Sequence, residues 1–417
     1  MDTPVRTPDA PDGAPPPRVL LRAARLLDVR EGRYLGNAEV LIEGDRVQAV
    51  ESGRKEAVPP TAAPPVIDLG GVTLLPGLID CHTHLLARIP SDSQGYPLNL
   101  LTKSEAFRAL EGAANARAVL RAGFTTVRDV ENEGSGWSDV ALRDAIAQGL
   151  VEGPRMQVAT RGIAAVGQYH PFGISADLEG FPTGAQMVSG SEEARRAVRD
   201  QVGHGADLIK VYADWDTPTL TSEELHVVVE ESHKLGRKVA AHATTPEGIH
   251  NAVAAGVDSI EHGSQATAET LQLMRTRGTF LVPTVGVIED YIALSPPPGR
   301  VERARSRLGA VQQTLRLARD IGVPIASGSD GTRPESHGAN ASELVAMARA
   351  GLSPVEAIRS ATVRAAELLG WSDRVGTVEV GKFADLIAVD GDPLVDLDVL
   401  NDVRFVMKGG LIVKGGP

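Results

Sequence analysis

Cysteine is nearly missing from this 417-residue chain: Cys81 stands alone. No disulfide can close within the chain, and a reducing, cytoplasmic setting is expected. Positive charge is in deficit too, with 42 Lys and Arg against 54 Asp and Glu and a net charge of -12. That average field repels nucleic acid and anionic membrane surfaces, although a local basic pocket for a carboxylate is compatible with it. No uninterrupted apolar run approaches the roughly 20 residues needed to cross a bilayer, so a soluble protein without a membrane partner is expected. Residues 1–18 are proline-rich and acidic and lack the apolar core of a secretory signal; they read as a flexible tail. No Gly-x-Gly-x-x-Gly follows the first long strand signal, which speaks against a doubly wound nucleotide-binding sheet.

What remains is an ordinary globular composition, 42% hydrophobic and 23% charged, in a chain too long for one small core. From Val19 to Val72 short apolar runs alternate with turn signals such as Glu43-Gly44-Asp45 and Gly70-Gly71. The C-terminus repeats the style around Lys408-Gly409-Gly410. Neither end has enough strands to bury a sheet face alone, so residues 19–73 and 373–417 are expected to pack together as one small β-sandwich.

Between them, residues 74–372 carry apolar, β-branched runs at 72–84, 124–130, 156–163, 208–213, 239–243, 259–263, 280–285 and 324–330, most of them separated by helix-patterned segments. Gly123, Gly205, Gly236, Gly256, Gly278 and Gly322 stand where helices end before the next strand, a place that favours a residue without Cβ. The alternation predicts an α/β fold of the (β/α)8 TIM-barrel type, with its site at the C-terminal ends of the strands.

Residues of metal-ligand type fall at those ends. His82 and His84, at i and i+2, project from one face of the first strand; His242, His262 and Asp330 end later ones, and Lys210 lies on the fourth. An ammonium on an apolar strand inside a barrel is costly to desolvate, which lowers its pKa and frees the amine to react with carbon dioxide.

Pro76-Gly77-Leu78-Ile79-Asp80-Cys81-His82-Thr83-His84, Ile209-Lys210-Val211-Tyr212, Ala240-Ala241-His242-Ala243, Ile260-Glu261-His262-Gly263 and Ser327-Gly328-Ser329-Asp330, in this order, resemble the metal-dependent amidohydrolase superfamily. The segments at 123–129 and 381–393 agree. Within it the chain resembles the imidazolonepropionase-related group that includes Xaa-Pro dipeptidases, arginine and lysine carboxypeptidases and ochratoxin-type amidases. The resemblance implies two divalent metal ions, zinc foremost: His82, His84 and Asp330 on one, His242 and His262 on the other, and Lys210 bridging as a carbamate. It also implies attack of a metal-bridging hydroxide on a small-molecule amide or peptide, with Asp330 as proton carrier, and a homo-oligomeric assembly.

For substrate contacts the expectations are His170, as a catalytic hydrogen-bonder to the substrate carbonyl, then Tyr169, His337, Arg161 and Arg333, the arginines because a guanidinium fork suits a carboxylate. The relatives' Gly-Gly pair after the bridging lysine is replaced here by Tyr212-Ala213-Asp214-Trp215. A dipeptide or N-acyl amino acid is the expected substrate, against a lactone or phosphotriester on the same metals and a catalytically silent scaffold.

Overall fold

The computed structural model describes residues 17–53, 64–89, 95–169, 181, 183–294 and 296–415. Arg18–Asp28, Arg33–Glu43 and Arg46–Ser52 form an antiparallel meander. Its second turn needs the positive φ of 60° that Gly44 adopts. Thr73–Pro76 pairs in parallel with the first strand and antiparallel with Leu386–Val389, which leads on to Val403–Lys408 and Leu411–Lys414.

The two ends therefore meet, but in one eight-stranded sheet and not as the two sheets of the expected sandwich. The ladder between Thr73–Pro76 and Leu386–Val389 makes the sheet continuous, and curling does the work of a second layer. Arg46 bridges to Phe383, and the Val47 N–H donates to the Lys382 carbonyl at 2.9 Å. Leu21, Val40 and Ile42 thereby share one core with Leu386, Phe405 and Met407, each such side chain stabilising by roughly 1.5–3 kcal/mol. The opposite face, with Leu75, Ile387 and Val406, packs against Val119 and Leu120 of the helix Glu105–Arg121.

Between the ends all paired strands are parallel. Leu78–Thr83, Phe124–Asp129 and Arg155–Val158 make a sheet of three. Gly162–Ala165, Ala185–Val188, Leu208–Tyr212, Lys238–Ala243, Ser259–His262 and Phe280–Val282 make a sheet of six. Backbone bonds cross both gaps: Asp207 N–H to Val158 O at 2.8 Å on one side, Leu281 N–H to Pro324 O at 2.9 Å and Cys81 N–H to Ser327 O at 2.8 Å on the other.

Three expected strands come out differently. The run 72–84 divides at Gly77, which lies so close to Thr125 that an added Cβ would overlap it, and the chain passes there from the curled sheet to the parallel one. The run 156–163 divides at Thr160, whose φ of 62° breaks the ladder. The last run, 324–330, keeps only the bridge from Ile325 to Leu281; Pro324 has no N–H to give to a ladder. All six glycines expected at helix ends have positive φ. No helix among the described residues is long and apolar enough to cross a membrane.

Candidate metal centre

The parallel strands bring their C-terminal ends to one rim. His82 ends Leu78–Thr83 but for one residue, and its ring lies 5.2 Å from those of both His84 and His262, centroid to centroid. Asp330 reaches into the group: Oδ1 is 3.2 Å from His84 Nε2 and 3.5 Å from His82 Nε2, and Oδ2 is 4.0 Å from His262 Nδ1. Donor atoms of His82, His262 and Asp330 all lie within 4.8 Å of one another, close enough to share an ion. His242 continues the row, its ring 4.6 Å from that of His262. Lys210 is 1% exposed. Burial pulls its pKa down against the pull of the Glu261, Glu131 and Asp330 charges.

Behind the rim a buried lattice orients these groups. Glu261, between strand neighbours Ile260 and His262, accepts from His82 Nδ1 at 2.7 Å, from Arg128 Nη2 at 2.8 Å and from the Ser259 hydroxyl at 2.5 Å. Burial alone would raise its pKa, but Arg128 and His82 hold it well below the usual carboxylate range. An ionised Glu261 keeps the proton of His82 on Nδ1 and leaves the Nε2 lone pair facing Asp330. Desolvation lowers the His82 pKa to about 4, so the ring is neutral at pH 7, as a metal ligand must be. Asp80 ties the two ends of the site together: it accepts from the backbone N–H groups of His82 and Ser329, both at 3.0 Å, and from Asn340 Nδ2 at 2.7 Å.

Several rim residues were not singled out from the sequence. Phe124–Asp129 runs into a buried acidic stretch, Asp129, Glu131 and Glu133. Glu133 Oε1 lies 2.9 Å from His84 Nδ1, and Glu131 accepts from the hydroxyls of Tyr169 and Tyr212. The acidic run after a strand end was the visible signal. Burial pushes Asp129 and Glu131 each up to about 8, with the Asp139 and Glu133 charges adding to it and the His84 charge opposing it, the mark of buried carboxylates without enough positive charge to hold all of them ionised. A divalent cation between imidazoles and Asp330 would supply that charge, so the donor set fits a metal. On the His242 side the rings of Tyr212 and Trp215 form a wall, 5.4 and 4.6 Å from the imidazole.

The expected substrate contacts fare unequally. Tyr169 belongs to the wall, 5.2 Å from Tyr212. His170 lies outside the described residues. Arg161 donates to the Ala185 carbonyl at 2.7 Å. Arg333 is paired with Asp290 at 3.6 Å and Glu335 at 3.2 Å. His337 Nε2 is hydrogen-bonded to the Ala87 carbonyl at 2.8 Å. These last three are held by protein groups that a substrate would have to displace. Cys81 is buried beside Ile79, Val282 and Ala326, as its alternation with His82 requires.

Residues 73–413 match the amidohydrolase family. The chain is 33% identical over 377 residues to an ochratoxinase of Aspergillus niger, covering 82% of this chain and 76% of that protein. It is 28% identical over 407 residues to an imidazolonepropionase of Deinococcus deserti, with 92% and 93% covered. Among solved structures, a Xaa-Pro dipeptidase with methionine bound in its active site superposes with a TM-score of 0.86 at 34% identity, covering 95% of this chain and 100% of that one. The chain therefore belongs to the amidohydrolase family and is a hydrolase acting on carbon–nitrogen bonds.

Proposed function

We propose that the rim holds two divalent ions and that the protein hydrolyses the amide bond of a dipeptide or an N-acyl amino acid. One observation carries the reading: donor atoms of His82, His262 and Asp330, drawn from three distant parts of the chain, lie within 4.8 Å of one another. His82, His84 and Asp330 would hold one ion, His242 and His262 the other, with Lys210 between them as a carbamate. The full burial of Lys210 and its lowered pKa support that last role, since only the neutral amine adds carbon dioxide. Imidazole with carboxylate suits zinc. Bound there, such ions acidify water and polarise a carbonyl.

The chain's own groups do the rest. Asp330, ionised and within 3.5 Å of two imidazoles, accepts the proton of the attacking water and returns it to the leaving amine. Arg128 and Glu261 lock the ring of His82, and the Tyr212–Trp215 wall excludes water beside His242. As part of this reading, the two parallel sheets and the segment 324–330 constitute a closed (β/α)8 barrel. The relatives support the substrate class: one is named for a dipeptidase and carries an amino acid in its active site.

Metal analysis together with turnover of N-acetyl-L-methionine tests the reading. Zinc should be found at two per chain, chelation should abolish hydrolysis and added zinc should restore it. Hydrolysis that survives exhaustive chelation overturns it.

A further inference from the structure

The two arginines that the sequence offered as carboxylate partners are engaged, whereas a third is not. Arg307 lies on the helix Pro298–Ile321 and, among the described residues, makes no hydrogen bond or ion pair. It stands three residues after Ala304 and four before Val311, on the stripe that continues through Thr314, Leu315 and Ala318 into the core, so its face of the helix is the inward one. The Thr314 hydroxyl donates to the Ser264 carbonyl at 3.1 Å, two residues beyond His262. Arg307 is seven residues, roughly 10 Å, nearer the helix N-terminus.

That end belongs to the rim, because a helix following a barrel strand runs back against it. Arg307 as a residue reaches solvent, yet desolvation lowers its pKa against the pull of the Asp330 and Asp214 charges, and its own charge acts on His242 and His262.

We propose that Arg307 is the specificity residue that captures the carboxylate of an anionic substrate above the metal centre. The inference rests on the proposed amide hydrolysis and names the part of the substrate that this chain selects. It explains how a protein of net charge -12 receives an anion: a lone unpaired guanidinium on the inward helix face supplies a local positive field where a fork of two N–H groups can grip both carboxylate oxygens.

The test compares acids with their neutral amides in the metal-loaded protein. N-acetyl-L-methionine and N-acetyl-L-methioninamide serve for turnover, L-methionine and L-methioninamide for calorimetric binding. Arg307→Gln should raise KM and Kd for the acids roughly 10- to 100-fold, the loss expected for one charge-assisted pair, and leave the amides where they were; Arg307→Lys should recover part of the loss. Equal loss for acid and amide, no loss for either, or no binding of L-methionine by the native protein overturns the proposal. A native protein that binds L-methionine through Arg307 but cleaves no amide overturns the amidase reading and keeps this one. One that cleaves both compounds with Arg307→Gln unchanged does the reverse.

Discussion

Phe405 in the curled sheet and Glu261 at the rim are both buried to within 1%, and they are kept there by different means. Phe405 needs only apolar neighbours from both wings of the sheet. Glu261 needs Arg128, His82 and Ser259 at hydrogen-bonding distance, because an ionised carboxylate without partners would be very costly inside a protein. The backbone divides in the same way. Of the non-glycine residues with positive φ among those described, Asn37 belongs to the curled sheet, while Glu133, Thr160, His262 and Thr284 follow or end parallel strands and Asp330 ends the segment 324–330. Each such conformation costs on the order of 1–3 kcal/mol. Strain and buried charge are thus concentrated where chemistry is proposed, and the rest of the fold must be stable enough to hold them.

If that division is sound, substitutions at the rim change rate or metal affinity, and substitutions in the curled sheet change stability. Asp330→Asn should have the largest effect, lowering kcat for N-acetyl-L-methionine by roughly 10²–10⁴-fold with the unfolding midpoint little changed; near-native turnover in a metal-loaded variant would remove Asp330 from proton transfer. Phe405→Ala should cost about 3–5 kcal/mol in denaturant unfolding while the folded fraction keeps its native KM. A shift in KM would mean the sheet communicates with the site.

Glu261→Gln should weaken metal binding by roughly 10–100-fold, as loss of an orienting partner does, and should also destabilise the apoprotein, because Arg128 loses its buried counter-charge. Metal affinity unchanged from native would show that Glu261 supports only the fold.

The smallest effect is a pH dependence. Burial lowers His337 from its ordinary 6.5 to about 4, so the unfolded chain binds the extra proton first as pH falls. Its contribution to stability is complete above about pH 6.5 and is lost on acidification towards pH 4. His337→Gln should therefore lose less of its melting temperature between pH 7 and pH 5 than the native protein, and parallel curves for the two would contradict the burial account.

Most of the periodic strands and the glycine helix ends were legible, as were His82, His84, Lys210, His242, His262 and Asp330 as the residues proposed to hold metal, because each advertises itself locally, by alternation, by φ or by residue type at a strand end. Glu131 was less so: the acidic run marks it as unusual, but its partners Tyr169 and Tyr212 lie 38 and 81 residues away, and that run does not say which groups it meets. Arg307 was hidden for the opposite reason. It looks like any other basic residue in an arginine-rich helix, and only packing reveals which of those arginines faces inward without a close ion pair. The engagement of Arg161, Arg333 and His337 by protein groups was equally invisible.

By itself the amino-acid order determined where the chain turns, most of the segments that are strands or helices, and which residue types arrive at their ends, since these depend on neighbours a few positions apart. Tertiary structure alone decided that the two ends join in one curled sheet, that the run 156–163 divides between two sheets, and which buried charges pair. Those outcomes depend on hydrogen bonds and desolvation between residues that only the folded chain brings within a few ångströms.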